Sequence, residues 1–173
     1  MKKSLLLLLS LAGGAVLAFA QTKQSATGKC DPKPDTQQAV EVGDRANHTL
    51  LVQKNSCTWT SPMEMEGLKS KTYTVMVLAD SSGPKSTDRG YVVLDMDNGD
   101  KAFVRFQGTS TSKDGKPESG EGTWSYTGGT GKLKGLTGKG TYKGAPGADG
   151  YADQVEGEYM IAAPKASAPK TKK

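Results

Sequence analysis

Side chains able to do chemistry are few in this chain of 173 residues, and they are scattered along it. His48 is the one histidine, so a Ser-His-Asp triad would have to include it. The chain has no Gly-x-Ser-x-Gly elbow, and a position at the start of a predicted strand suits an ordinary structural histidine better. The residue types therefore assign no catalytic residue, and they leave open whether the chain is an enzyme.

Two stretches look like ligand loops but lack residues that such loops need. Gly131-Lys132 is followed by Leu133, whereas a phosphate loop has Ser or Thr after its Gly-Lys and opens a helix. The acidic stretch that begins at Asp95 would need a glutamate at its twelfth position to form a calcium loop, and Phe106 stands there. We therefore expect no nucleotide, no metal and no other cofactor.

The remaining candidates are polar and aromatic side chains on predicted strands. If polar side chains point into the interior, the candidates are Tyr91, Asp95, Arg105 and Glu158. No characteristic spacing links these four residues. Trp124 and Tyr126 share one face of their strand and would add aromatic surface. These six residues form the expected ligand-binding site.

Cys30 and Cys57 are the two cysteines of the chain. An exported chain meets an oxidising compartment, where two thiols usually pair. Two cysteines with no second Cys or His pair nearby make a poor zinc site. The sequence therefore predicts a Cys30–Cys57 disulfide, and in the chain-entropy model a loop of this length contributes roughly 3–4 kcal/mol.

The N-terminus has the order of a secretory signal peptide. Lys2-Lys3 precedes a short apolar run and the small-x-small site Ala18-Phe19-Ala20. The apolar run is about 15 residues long, short of the roughly 20 that a membrane-spanning helix needs. We therefore expect cleavage after Ala20 and an exported chain, periplasmic or secreted, that does not span a membrane.

Charge is concentrated at the two ends. Removing the six lysines of the signal segment and the C-terminal tail from the 23 basic residues leaves 17, against 18 acidic ones. A nucleic-acid-binding domain would carry a basic stripe on its folded part, so we expect no nucleic-acid partner. Residues 164–173 have no large apolar side chain and are predicted to be disordered, residues 21–38 are predicted to form a flexible arm, and residues 39–163 are the predicted folded domain.

The body alternates apolar and polar residues with the period of β-strands. The predicted strands are His48–Thr60, Thr72–Asp80, Arg89–Asp97, Lys101–Ser112, Gly122–Thr127, Leu133–Lys143 and Val155–Ala162. Short strands at regular spacing indicate a sandwich or a barrel, and closure removes exposed strand edges. The sequence predicts an all-β fold, an antiparallel closed barrel of about eight strands, with a β-sandwich as the alternative.

The hairpin around Asn98-Gly99 is the best-defined unit. Val92 and Leu94 form one apolar stripe, and Ala102 and Val104 form another. A two-residue loop would place these stripes on opposite faces, whereas a three-residue loop with positive φ at the glycine places them on one face. We therefore expect a bulged three-residue turn.

Residues 128–142 carry a family resemblance. They read Gly-Gly-Thr-Gly-Lys-Leu-Lys-Gly-Leu-Thr-Gly-Lys-Gly-Thr-Tyr and follow the predicted strand Gly122–Thr127. The stretch resembles a segment of dirigent proteins and of allene-oxide-cyclase-like barrels, and exported bacterial proteins of unknown function in that group. The resemblance implies an eight-stranded antiparallel barrel, and because related barrels form dimers and trimers it is compatible with a homo-oligomer.

Three functions follow as expectations. The first is an exported barrel that binds a small apolar or aromatic ligand, since a barrel of about eight strands either packs solid or holds one small ligand. The second, implied by the resemblance, is a cyclase or dirigent type of enzyme, which needs at least two converging ionisable groups inside the barrel. The third is a structural or interaction protein of the envelope.

Overall fold

The structure, a computed structural model, describes residues 21–147 and 150–162, and the predicted signal peptide and tail lie outside them. The described chain is all-β apart from one short 3-10 turn at Gly131–Leu133. Its strands are β1 Thr22–Cys30, β2 Thr36–Glu41, β3 His48–Ser61, β4 Glu64–Met65, β5 Leu68–Ser82, β6 Lys85–Met96, β7 Lys101–Lys113, β8 Lys116–Gly129, β9 Leu136–Gly147 and β10 Gly150–Ile161.

Eight of these strands close into an antiparallel barrel, as predicted. The hydrogen-bonded order runs β3-β1-β10-β9-β8-β7-β6-β5, and β5 then pairs with β3 along most of its length. β2 pairs with β3 along the same edge as β1 but with an earlier part of that strand, and β4 pairs with the start of β5. These two strands are not part of the closed ring. Closure excludes the sandwich alternative.

The period-two alternation selects the face that turns inward. Leu94 pairs with Tyr73 on one side and with Ala102 on the other, and all three are buried. Directly paired residues share a face, so each apolar stripe adds to the same interior. The sheet therefore buries its apolar stripes by curling around them.

The β6–β7 hairpin has the predicted three-residue turn. The Met96 N–H donates to the Asp100 carbonyl, which leaves residues 97–99 as the loop, and Gly99 has a φ of 89°. Val92 pairs with Val104, so both apolar stripes face the interior. The core requires this register, since a slip of one residue would turn every side chain over.

The predicted flexible arm, residues 21–38, is wrong for most of its length. Thr22–Cys30 forms β1 and pairs with both β10 and β3, and β2 begins at Thr36. This segment looks polar in sequence because its inward residues are small, Ala26 and Gly28 among them. A barrel interior crowded by large rings needs small residues on some strands, so low hydrophobicity here does not mean disorder.

The chain between β3 and β5 closes one end of the barrel, here named the cap end. The core side chains at the cap end, from this segment and from the strands around it, are at most 5% exposed. They are Met63, Met65, Leu68, Met96, Leu133 and Leu136. Glu66 and Gly67, both with positive φ, join β4 to β5. The Tyr126 hydroxyl donates to the Met63 sulfur at 2.9 Å, so the cap segment packs directly on the barrel core.

The opposite end, here named the hairpin end, is built from turns such as Gly83-Pro84 and Asp114-Gly115. The strands run further toward it than the sequence predicted, to Ser82, Lys113 and Gly147, because backbone pairing continues after the apolar side chains stop. The inward side chains there are small and polar, and the paired row is Ser81, Ser86, Ser110, Gly120, Gly144 and Asp153.

Cys30 and Cys57 form the predicted disulfide and join β1 to β3. The two residues are directly paired across the strands, so the bond fastens β1 to its neighbour. In the described part of the chain, no helix is long and apolar enough to cross a membrane.

Candidate functional site

Four of the six predicted site residues lie on the outer face of the barrel, and three of these are on β6 and β7. Tyr91 pairs with Arg105 and is 58% exposed, and the Asp95 carboxylate forms an ion pair with Lys101. All three residues alternate with the inward stripe of Val92 and its neighbours. The expectation that they enter the lumen is therefore wrong, because strand parity turns them toward solvent.

Glu158 also faces outward, where it pairs with Lys23 and Lys139 across the neighbouring strands. The structure brings Glu158, Arg105 and the strand around Trp124 together only along an open groove on the outside of β7–β10 and β1. The groove is lined mainly by outward polar side chains. It is a surface feature, distinct from the predicted luminal site.

Trp124 and Tyr126 point inward, as the prediction required. Both are buried, their ring centroids lie 5.0 Å apart, and the Trp124 indole N–H donates to the Thr141 carbonyl at 3.1 Å. The Tyr126 hydroxyl accepts from the Gln24 amide at 2.8 Å. Their polar atoms are already paired within the protein, so the geometry gives these two rings a core role.

Other polar side chains do enter the lumen, near the hairpin end. We name Asp88, Tyr142, Tyr151 and Asp153 the luminal acid cluster. Asp88 lies opposite Gly108, and that row continues through Gly122 to Tyr142. Tyr151 and Asp153 are consecutive inward residues of β10. Three strands, β6, β9 and β10, thus bring two carboxyls and two phenols together.

Glycines on the adjacent strands let the two phenol rings lie against the barrel wall. A Cβ on Gly122 would stand 2.7 Å from the Tyr142 ring, and one on Gly120 would stand 2.7 Å from the Tyr151 hydroxyl. Real Cβ atoms do not approach so closely, so a side chain at either position would displace the ring beside it. The two rings therefore lie against the backbone of the neighbouring strands.

The electrostatics of the cluster follow from burial. Desolvation raises the pKa of Asp153 to about 6 from its ordinary 3.8. Burial also raises the pKa of Tyr142 to about 12, with Asp88 and then Asp153 adding to the effect. The pKa of Tyr151 is raised by burial first and then by the charge of Asp153. Both carboxyls therefore lie close enough to the phenols for their negative charge to disfavour ionisation of the phenols.

The two carboxyls differ in how their oxygens are satisfied. Asp88 is 9% exposed and accepts a hydrogen bond from the Ser86 hydroxyl at 2.5 Å. Within residues 21–147 and 150–162, no hydrogen bond or ion pair to the Asp153 carboxyl is present. Asp153 is half-buried, so its carboxyl loses part of its contact with water and gains no protein donor in exchange.

Tyr73 extends the polar lumen toward β1. Its ring packs on Trp59 with centroids 4.2 Å apart, and it covers Gly28 so closely that a Cβ there would collide with it. Burial, and secondarily the charge of Asp153, raises the pKa of Tyr73. The cluster is thus bordered by a third phenol and by the disulfide of Cys30.

The sequence carries a signal for this cluster in the parity of its strands. Asp88 has the parity of Val92, and Asp153 has that of Val155, so extending each apolar stripe toward its turn predicts an inward acid. The segment limits hid this signal, because the predicted strands began at Arg89 and Val155.

His48 forms a separate polar group outside the lumen. Its Nδ1 contacts the Asp44 carboxylate, and its Nε2 lies 2.9 Å from that of Asp80. The hydrogen bond to Asp44, followed by the one to Asp80, raises the pKa of His48. The imidazole thereby fastens the β2–β3 connection to β5.

No group of three or more His, Cys, Asp or Glu side chains in the described ranges is arranged to hold a metal ion. No protein-family model matches the chain, and no curated protein matches it either. The closed barrel is consistent with the barrel fold that the glycine-rich stretch implied.

Proposed function

We propose that the exported chain binds a small molecule at the luminal acid cluster, in the periplasm or outside the cell. The ligand class is an apolar or aromatic body that carries a hydrogen-bond donor such as a hydroxyl. The body would contact the faces of Tyr142 and Tyr151, and the donor would reach Asp153. Pockets of this kind are mostly apolar, with a few polar groups that orient the ligand.

One observation carries the proposal: Asp153 is a half-buried, inward carboxyl that is desolvated and receives no hydrogen bond from the described residues. A carboxylate that loses part of its contact with water without gaining a hydrogen-bond donor is held at a cost in free energy, so a ligand that brings a donor would gain from binding there. A ligand hydroxyl would supply the missing hydrogen bond. The flanking rings lie against glycines of the neighbouring strands, so no side chain at those positions covers the ring faces.

Native mass spectrometry of the protein, purified gently from its exported form, tests the proposal. We expect a mass increment for the wild-type chain and its loss in Asp153→Asn, because the neutral amide has one weaker acceptor oxygen where the carboxylate has two charged ones, and its NH2 group would face the ligand's donor. Asp95→Asn is the matched control, since Asp95 is an outer-face carboxylate paired with Lys101. Binding that survives Asp153→Asn, or a wild-type chain that carries nothing and takes up no phenolic probe, contradicts it.

An enzyme of acid–base type is a second candidate, and the pKa of Asp153 favours it. A carboxyl with a pKa of about 6 exchanges protons near neutral pH, which suits a general acid or base. The recovered ligand, incubated with protein in heavy water, would then gain deuterium on carbon. If the ligand binds but gains no deuterium, the result contradicts the enzyme and leaves binding as the proposed function.

A further inference from the structure

β2 is an edge strand with one side unpaired. Its six residues, Thr36–Glu41, pair with β3, and no other described strand pairs with it. All six residues are exposed. The barrel itself is closed, so β2 lies outside the ring and is joined to it through β3.

The unpaired backbone groups of β2 can be assigned by residue. The Val42 N–H donates to the His48 carbonyl at 2.9 Å, which continues the register in which Glu41 faces Thr49. Successive residues of a strand turn their N–H and C=O groups to opposite sides. The even residues therefore bond to β3, and the groups of Gln37, Ala39 and Glu41 point to the open side.

The outer face beside this edge is apolar. Val40 is 56% exposed, Leu50 41% and Val52 60%, and Val42 follows at 42%. Val40 pairs with Leu50, and Val52 pairs with Gln38, so the exposed side chains form one continuous strip on β2 and β3. Such a strip next to an open edge marks an interaction surface.

The edge carries none of the usual protection. Natural proteins blunt edge strands with lysine, proline or bulges, and β2 reads Thr-Gln-Gln-Ala-Val-Glu. Its single charge is Glu41. A surface that is open, apolar and unprotected is suited to pairing with another strand.

We propose that two copies of the chain pair antiparallel through β2 across a two-fold axis that passes at Ala39. In this register Ala39 meets Ala39 of the second copy, and Gln37 meets Glu41 of the second copy. All three residues with open backbone groups then form hydrogen bonds on both strands. A two-fold contact requires one surface that complements itself, and β2 provides it.

Charge and side-chain size select this partner and this register. A shift that set Glu41 against Glu41 would place like charges directly opposite, whereas here each glutamate faces an amide. Ala39 on the axis presents no bulk to its copy. On the outer face, Val40 of each copy lies opposite Gln38 of the other and diagonal to its Val40, so the two apolar strips meet at the axis.

Sedimentation velocity over a wide range of protein concentration measures the association. We expect a monomer–dimer equilibrium in the wild-type chain. Ala39→Pro removes an open-side N–H without removing a hydrogen bond to β3, and it should raise the dissociation constant about tenfold or more. Val40→Lys with Val52→Lys should do the same, whereas Thr109→Lys on the outer face of β7 should change nothing. Far-UV circular dichroism establishes that each variant is folded.

Cysteine cross-linking tests the register independently of affinity. Under mild oxidation, Ala39→Cys should form a covalent dimer by itself. Gln37→Cys alone should not, but a mixture of Gln37→Cys and Glu41→Cys should. A chain that stays monomeric at every concentration overturns the proposal, as does a dimer that Ala39→Pro leaves intact.

Discussion

The two ends of the barrel use the same strands for different purposes. At the cap end, a crossing segment and six large apolar side chains fill the interior, and none of the six is more than 5% exposed. At the hairpin end, the same strands present glycine, serine, two carboxyls and two phenols to the lumen. The comparison indicates that the cap end supplies the stability and that the hairpin end holds groups which cost stability.

The largest effect should come from truncating a cap-end side chain. Leu136 is 1% exposed, so Leu136→Ala removes packed atoms and leaves a cavity, and it should cost about 2–5 kcal/mol of unfolding free energy. Leu50→Ala, the same change at a side chain 41% exposed, should stay within about 0.5 kcal/mol. Urea unfolding at low protein concentration measures both. Equal losses of unfolding free energy in the two variants would contradict the conclusion that the cap end supplies the stability.

Removing the disulfide should have the next largest effect. Cys30 and Cys57 are 27 residues apart, and replacing both with serine should cost roughly 3–4 kcal/mol by releasing that loop in the unfolded chain. Thermal unfolding with and without reductant provides the control, because reductant should lower the midpoint of the wild-type chain and leave that of the double variant unchanged. A wild-type midpoint insensitive to full reduction contradicts the prediction.

Asp153→Asn should stabilise the protein at neutral pH. The folded-state pKa of about 6 exceeds the ordinary 3.8, so the folded state binds the proton more tightly and stability falls as pH rises from about 4 to about 6. The substitution should therefore add about 2–3 kcal/mol at pH 7 and nothing below pH 3.8. Urea unfolding across this range measures it. A variant less stable than wild type at pH 7 would show that Asp153 is a structural acid.

The smallest predicted effect is a second pH dependence at the same end, from His48. Its pKa is raised by Asp44 and then Asp80, so its contribution to stability is fully present below the ordinary 6.5 and is lost as pH rises through the raised pKa. His48→Gln should remove this loss. The stability of Asp153→Asn should still fall as pH rises through the raised pKa of His48, which distinguishes the contribution of His48 from that of Asp153. An unchanged profile in His48→Gln contradicts the assignment.

The alternation of side chains, the turn residues and the two cysteines were enough to predict the barrel, the three-residue β6–β7 turn and the disulfide. These features are local, because a period of two and a glycine with positive φ act through neighbouring residues. The predicted strands stopped too early at the hairpin end and omitted β1, since backbone pairing extends beyond the apolar residues that mark a strand in sequence.

What the tertiary structure alone decided is which polar groups meet. Asp88 and Asp153 are 65 positions apart in sequence. They share the lumen because the pairing register of five strands places them in adjacent rows. The predicted acids, Asp95 and Glu158, lie outside for the same reason. A shift of one residue in register turns a side chain from core to solvent, and that register is set by packing across the whole ring rather than by any one strand.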